Sequence, residues 1–236
     1  MKLLLIRHGE PDYEEDALTE KGKREAAFLA ERIAPMQVKN YYVSPLGRAM
    51  ETAEATLQKA GREAEVCPWL REFDIPIVDV SGVERPVPWN WMPEKWLSDP
   101  RFFSAEHWSE NEVLKKAGVG PAYEKVISAF DDLLSEHGYR REGAFYRAER
   151  ANTDTLVFFT HFGLSCVLMS HLFNCSPMVL WHSLIMAPSS VTTICTEERE
   201  KGIAVFRAAA IGDVSHLLEH GEEPSPAGRF QEVYHE

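Results

Sequence analysis

Cysteine is scarce in this sequence and shows no pattern. Only Cys67, Cys166, Cys175 and Cys195 occur in 236 residues. The absence of any Cys-x-x-Cys pair speaks against a disulfide framework and a thiolate zinc knuckle; the apolar, strand-like surroundings read as reduced thiols, the usage expected of a cytoplasmic protein. Positive charge is also in deficit, with 25 Lys and Arg against 37 Asp and Glu and a formal net charge of -12. Such a chain repels polyanions, so neither nucleic acid nor an anionic membrane surface is an expected partner. Long apolar runs are missing as well. The opening Met-Lys-Leu-Leu-Leu-Ile is cut short by Arg7, His8 and Glu10, before it reaches the length of a secretory core, and no segment approaches a membrane span. There is no internal repeat. An acidic protein that handles an anion must concentrate a few arginines in a small pocket, which is where function is to be sought.

What is present is a chain 44% hydrophobic and long enough to bury a large core, read as one α/β domain over residues 1–236. Leu3 to Ile6 is a continuous apolar run ending in a polar, glycine-containing loop, the signature of a parallel strand buried on both faces. Thr19 is placed to cap a helix reaching Ile33, since Ala26, Ala27, Leu29, Ala30 and Ile33 recur at helical spacing. Val38 to Val43 reads as a second strand. Ser44-Pro45 then offers a serine N-cap with proline in the first turn, opening a helix with Leu46, Ala49, Met50, Ala53 and Leu57 on one face. Thr155 to Thr160 is another buried strand, followed by an apolar helix from Gly163 to Phe173. Ser190 to Thr196 and Ile203 to Ala209 read as two strands paired through the charged turn 197–202. The expected architecture is a three-layer αβα fold around a mostly parallel central sheet.

Between residues 75 and 120 the periodicity fails. Pro76, Pro86, Pro88, Pro93 and Pro100 interrupt it, and Trp89, Trp91, Trp96, Phe102, Phe103 and Trp108 crowd a short span. The segment reads as a cap inserted in the domain. Its tryptophans are expected mainly to form a small satellite core, with direct substrate contact the lesser expectation.

Three buried strands deliver charged or titratable side chains at their carboxyl ends: Arg7-His8-Gly9-Glu10, Ser44 to Arg48, and Thr160-His161. In open α/β sheets the ligand crevice lies outside those ends, so the three segments are expected to converge there. The remaining histidines, His171, His182 and His216, show no ligand spacing and are read as structural.

The tetrad Arg7-His8-Gly9-Glu10 at an N-terminal strand end resembles the histidine phosphatase, or phosphoglycerate mutase-like, superfamily. Leu18-Thr19-Glu20-Lys21-Gly22, the run Ser44-Pro45-Leu46-Gly47-Arg48-Ala49-Met50-Glu51-Thr52-Ala53, and Gly212-Asp213-Val214-Ser215-His216-Leu217 resemble further motifs of that family, in the same order. The resemblance implies a phosphomonoesterase that needs no cofactor and no metal, acting on a small-molecule phosphate ester. His8 would be the nucleophile, Arg7, Arg48 and His161 would bind the phosphate, and Glu72, after Leu70-Arg71, would donate the proton in preference to Asp74. The residue types suit that chemistry. A neutral imidazole attacks phosphorus and carries it covalently, and guanidinium forks match the equatorial oxygens better than lysines would. A protonated His161 would add a third positive donor, and the helix after Ser44 would offer backbone N–H groups.

The sequence departs from the mutases of that superfamily after Glu10. Where they carry serine, tryptophan and asparagine, this chain has Pro11-Asp12-Tyr13-Glu14, and an acidic Glu14 disfavours a second anionic group. The reading is therefore hydrolysis, with a phosphoglycerate-type mutase and a non-catalytic phospholigand-binding module as the alternatives. Phe162 follows His161 where the family usually has glycine, which comes one residue later as Gly163.

Overall fold

A computed structural model describes residues 1–78, 85–230 and 232–233. Among the described residues ten strands occur: β1 Lys2–Arg7, β2 Pro11–Asp12, β3 Ala17–Leu18, β4 Asn40–Val43, β5 Glu65–Val66, β6 Tyr139–Glu142, β7 Phe145–Ala148, β8 Thr155–Thr160, β9 Val191–Glu200 and β10 Ile203–Asp213. The helices are α1 Glu20–Ile33, α2 Gly47–Ala60, α3 Pro93–Leu97, α4 Glu112–Lys116, α5 Val119–Glu136, α6 Phe162–Phe173, α7 Pro177–Ser183 and α8 Ser215–Leu218.

Eight strands form one sheet in the order β5-β4-β8-β1-β9-β10-β7-β6. It is parallel from β5 through β1, with Leu4 beside Val157, and antiparallel beyond, where β9 and β10 make the hairpin expected from their alternating pattern. Side chains alternate across β1, and this builds the layers. Leu4 and Ile6 enter a core with Leu29, Ile33 and Ala53 of α1 and α2. Leu3 and Leu5 enter the opposite core with Phe130, Leu164 and Trp181 of α5, α6 and α7. The expected α/β layering is thus present.

Thr19 caps α1 as expected, its side chain accepting from the Gly22 N–H. The start of α2 differs: its N-cap is Leu46, with no side-chain cap bond. The hairpin β6–β7 was not foreseen. Its strands have four residues each, Tyr139-Arg-Arg-Glu142 and Phe145-Tyr-Arg-Ala148, and carry too much charge to stand out as strands.

Residues 79–84 of the expected cap lie outside the described residues. The described remainder of 75–120 supplies α3, α4 and short 3-10 turns, and none of it joins the sheet. Its tryptophans do not form a satellite core. Trp91, Phe102 and Trp108 are buried in the same cluster as Leu3 and Leu5, and Trp108 meets Trp181 of α7 edge-to-face at 5.7 Å.

Candidate active site

The carboxyl ends of β1, β4 and β8 lie side by side because these strands are neighbours in the parallel half of the sheet. Arg7 ends β1 and His8 follows it; Ser44 follows β4 and Arg48 lies in the first turn of α2; His161 follows β8. The structure brings these residues together. The His8 and His161 rings stand 5.2 Å apart between centroids, and Arg7, His8, Arg48 and His161 are all buried. The Gly9 N–H donates to Thr52 Oγ1 at 2.9 Å, and the Thr52 hydroxyl donates to the Arg48 carbonyl at 2.7 Å. This ties the His8 loop to the helix carrying Arg48.

His8 is held in one tautomer. Its Nδ1 lies 2.7 Å from the Gly9 carbonyl, an acceptor, so Nδ1 carries the proton and Nε2 keeps its lone pair. Burial, then the nearby Arg7 and Arg48 guanidiniums, push its pKa well below the usual imidazole value, the Gly9 contact opposing them. The ring is therefore neutral at neutral pH, as a nucleophile requires.

The state of His161 differs from expectation. Burial, His8 and the arginines drive its pKa well below the ordinary value, so it is not a cationic donor by itself. It can still donate. Its Nε2 is 2.7 Å from Ser44 Oγ, and that oxygen already accepts from the Leu46 N–H at 3.3 Å. If the Ser44 hydroxyl gives its proton to Nε2, the ring proton sits on Nδ1, which is buried without a partner. Sequence reasoning took Ser44 for a helix cap; Ser-Pro at a strand end was the right signal with the wrong role.

Two arginines carry the positive charge. Arg7 Nη1 donates to the Met186 carbonyl at 2.5 Å and to the Ala227 carbonyl at 3.2 Å, contacts with no sequence signal because they come from irregular segments. Arg48 pairs through Nη1 with Asp16, whose other carboxylate oxygen accepts the Gly47 N–H at 2.7 Å. Asp16 thus occupies the helix N-terminus that was expected to face phosphate. The Nε atoms of both arginines are buried with no partner.

Glu72 lies against the start of α6. Its carboxylate accepts the N–H groups of Phe73 at 2.8 Å, Leu164 at 2.9 Å and Gly163 at 3.2 Å. Burial raises its pKa despite those donors and the Arg7 charge. Gly163 is needed here for space, since a Cβ would come within 2.6 Å of Trp89 Nε1 and 2.7 Å of Glu72 Oε1. Asp74, the alternative acid, points elsewhere and pairs with Arg85 at 3.0 Å.

The three histidines read as structural have local partners. His171 bonds Asp131 at 2.9 Å, His182 stacks on Trp96 at 4.8 Å, and His216 Nε2 lies 3.0 Å from Ser189 Oγ. Among the described residues no group of His, Cys, Asp and Glu is disposed to hold a metal ion.

The class of protein follows from comparison with known families. Residues 3–208 match the histidine phosphatase superfamily (branch 1), and the chain belongs to that family. Among curated relatives, a probable phosphoglycerate mutase GpmB of Enterobacter sp. (strain 638) is 28% identical over 151 residues, covering 58% of this chain and 70% of that protein. The GpmB of Cronobacter sakazakii is 33% identical over 88 residues, and the match spans 34% of this chain and only 41% of that protein's length. The fold is shared with solved phosphatases. A phosphoserine phosphatase from Entamoeba histolytica, in complex with 3-phosphoglyceric acid, superposes with a TM-score of 0.58 at 18% identity, covering 92% of this chain and 98% of that one. A mycobacterial glucosyl-3-phosphoglycerate phosphatase gives 0.59 at 18%, covering 89% and 98%.

Proposed function

We propose that this protein hydrolyses small phosphomonoesters through a phosphohistidine on His8. The observation that carries the reading is the set of buried, unpartnered polar groups around that residue: Nε of Arg7, Nε of Arg48 and Nδ1 of His161. A buried donor without a partner costs about 1–3 kcal/mol. Three such donors beside a neutral imidazole form a site that a phosphoryl group would satisfy.

In the first step His8 Nε2 forms a bond to phosphorus as the ester P–O bond breaks, while Arg7, Arg48 and His161 hold the equatorial oxygens. Glu72, protonated, gives its proton to the departing alkoxide. Its Oε2 is the oxygen for that proton, because it accepts one long bond while Oε1 accepts two shorter ones. In the second step water attacks phosphorus, Glu72 takes a proton from it, and the P–N bond breaks to restore the His8 lone pair. The arginines supply the charge, so no metal enters the scheme.

The relatives named as mutases favour a second reading, transfer of the phosphoryl group within phosphoglycerate. One experiment separates the two. Turnover of a panel of phosphate esters should attach acid-labile, base-stable phosphate to the wild-type protein and not to His8→Ala, and should release inorganic phosphate faster than any isomerised ester. Faster isomerisation selects the mutase. Ligand binding with no turnover selects a phospholigand-binding module. Activity abolished by a chelator and restored by a divalent ion removes the metal-free scheme.

A further inference from the structure

Tyr13 departs from the mutases and takes no part in the chemistry above, yet the structure fixes its place. Its ring lies over the Arg48 guanidinium, 5.4 Å from centroid to Cζ, and over that of Arg85 at 5.9 Å. Tyr13 also opposes the lowering that burial imposes on the Arg7 pKa. Arg48 and Arg7 are buried, whereas Tyr13 is 57% exposed. The ring therefore stands between the candidate phosphate arginines and solvent, and reaches the described part of the 75–120 segment through Arg85.

The side from which Glu72 would deliver its proton is aromatic too. Trp89 Nε1 and Glu72 Oε1 both lie within 2.7 Å of one point, the position of a Cβ on Gly163. Phe162 meets Trp89 edge-to-face at 6.0 Å, and both rings are half-buried. The Glu72 carboxylate that would deliver the proton is thus flanked by the rings of Trp89 and Phe162. Two cations beside the Tyr13 ring are already matched, Arg48 by Asp16 and Arg85 by Asp74. Glu14 and Glu15, beside Tyr13, are exposed. A second anionic group on the substrate would meet carboxylates, while a ring would meet ring faces.

Resting on the phosphomonoesterase reading, we propose that Tyr13 is a specificity-determining residue that seats the leaving group, and that the substrate class is phosphomonoesters of alcohols bearing a planar ring.

Benzyl phosphate and ethyl phosphate test this, because their alcohols are of similar acidity and differ mainly in the ring; cyclohexylmethyl phosphate controls for bulk. Wild type should favour benzyl over ethyl by about tenfold in kcat/KM, and over cyclohexylmethyl by a smaller margin. Tyr13→Leu should reduce the benzyl preference severalfold, and Tyr13→Phe should keep it. A wild-type ratio near unity overturns the proposal without touching the phosphatase reading, as does a preference that survives in Tyr13→Leu. Release of phosphate from p-nitrophenyl phosphate checks that reading separately; no release from any of the esters removes both.

Discussion

The Glu25 carboxylate accepts the backbone N–H of Glu10 at 2.7 Å from a position with no solvent exposure, and so braces the loop that carries His8. Its second oxygen has no hydrogen-bond partner, with Lys21 Nζ 4.0 Å away, and burial raises its pKa to about 7 against the pull of that charge. Between the ordinary carboxyl value and about 7 the folded protein holds a proton that the unfolded chain has lost, so stability falls as pH rises through that window and then levels. Glu25→Gln keeps an acceptor for Glu10 and removes the proton. Urea midpoints at about pH 5 and pH 8 should show wild type losing up to about 3 kcal/mol relative to the variant. A difference independent of pH would mean that Glu25 is ionised throughout.

Glu72→Gln should slow ethyl phosphate by about a hundredfold or more, while p-nitrophenyl phosphate, whose leaving group needs little protonation, loses far less. The pH profile gives a second check. Activity of wild type should fall on the alkaline side as Glu72 ionises through its raised pKa, and on the acid side, below the ordinary imidazole value, as His8 protonates. The variant should lack the alkaline limb. Equal losses on both esters would exclude Glu72 as the acid.

Ser44→Ala leaves Nε2 of His161 without its partner and frees the ring to take the other tautomer. The expected loss in kcat is about tenfold, from one hydrogen bond to a buried group, with Ser44→Thr recovering part of it. Single-turnover measurement of phosphoenzyme formation reads this step; unchanged rates would show that Ser44 does not set the tautomer.

Ser189 has a left-handed backbone, φ 58°, donates its N–H to the His8 carbonyl at 2.9 Å, and bonds His216 through its hydroxyl. Ser189→Ala keeps the strained backbone and orphans a buried histidine, so it should destabilise by about 1–3 kcal/mol. Ser189→Gly relieves the backbone and should cost less. The reverse order in denaturant midpoints would show that the left-handed backbone stores no strain, and an unchanged midpoint in Ser189→Ala would make the hydroxyl unimportant.

Most of the fold and the convergence of the candidate site residues could be read in the sequence because they lie on strong local patterns. The buried runs of β1 and β8 are continuous and end at Arg7 and His161, and strand order in a parallel sheet then makes convergence a geometric necessity. What escaped was set by distance in sequence. The Ser44 to His161 bond spans 117 residues, and the Arg7 to Ala227 bond 220; no periodicity reports such pairs. Asp16 escaped for a related reason, since its carboxylate reaches Gly47 from an irregular loop with a left-handed backbone. Tyr13 was visible as a departure from the mutases, but its position over Arg48 depends on how that loop folds back.

β1 lies between β8 and β9 in the sheet. Arg7 and His8 are therefore synthesised well before the strands that flank them, which begin at Thr155 and Val191. Contacts of such sequence separation close slowly, since the entropy of a long loop is lost before the sheet rewards it. A nascent chain ending anywhere before Val191 would display Arg-His-Gly-Glu and the Arg48 motif without β9 to complete the strand pairing of β1. On the proposed function, competence at this site is acquired only once β9 has been made, and a pulse of ribosome-bound chains of increasing length should show phosphohistidine formation only after β9 has emerged.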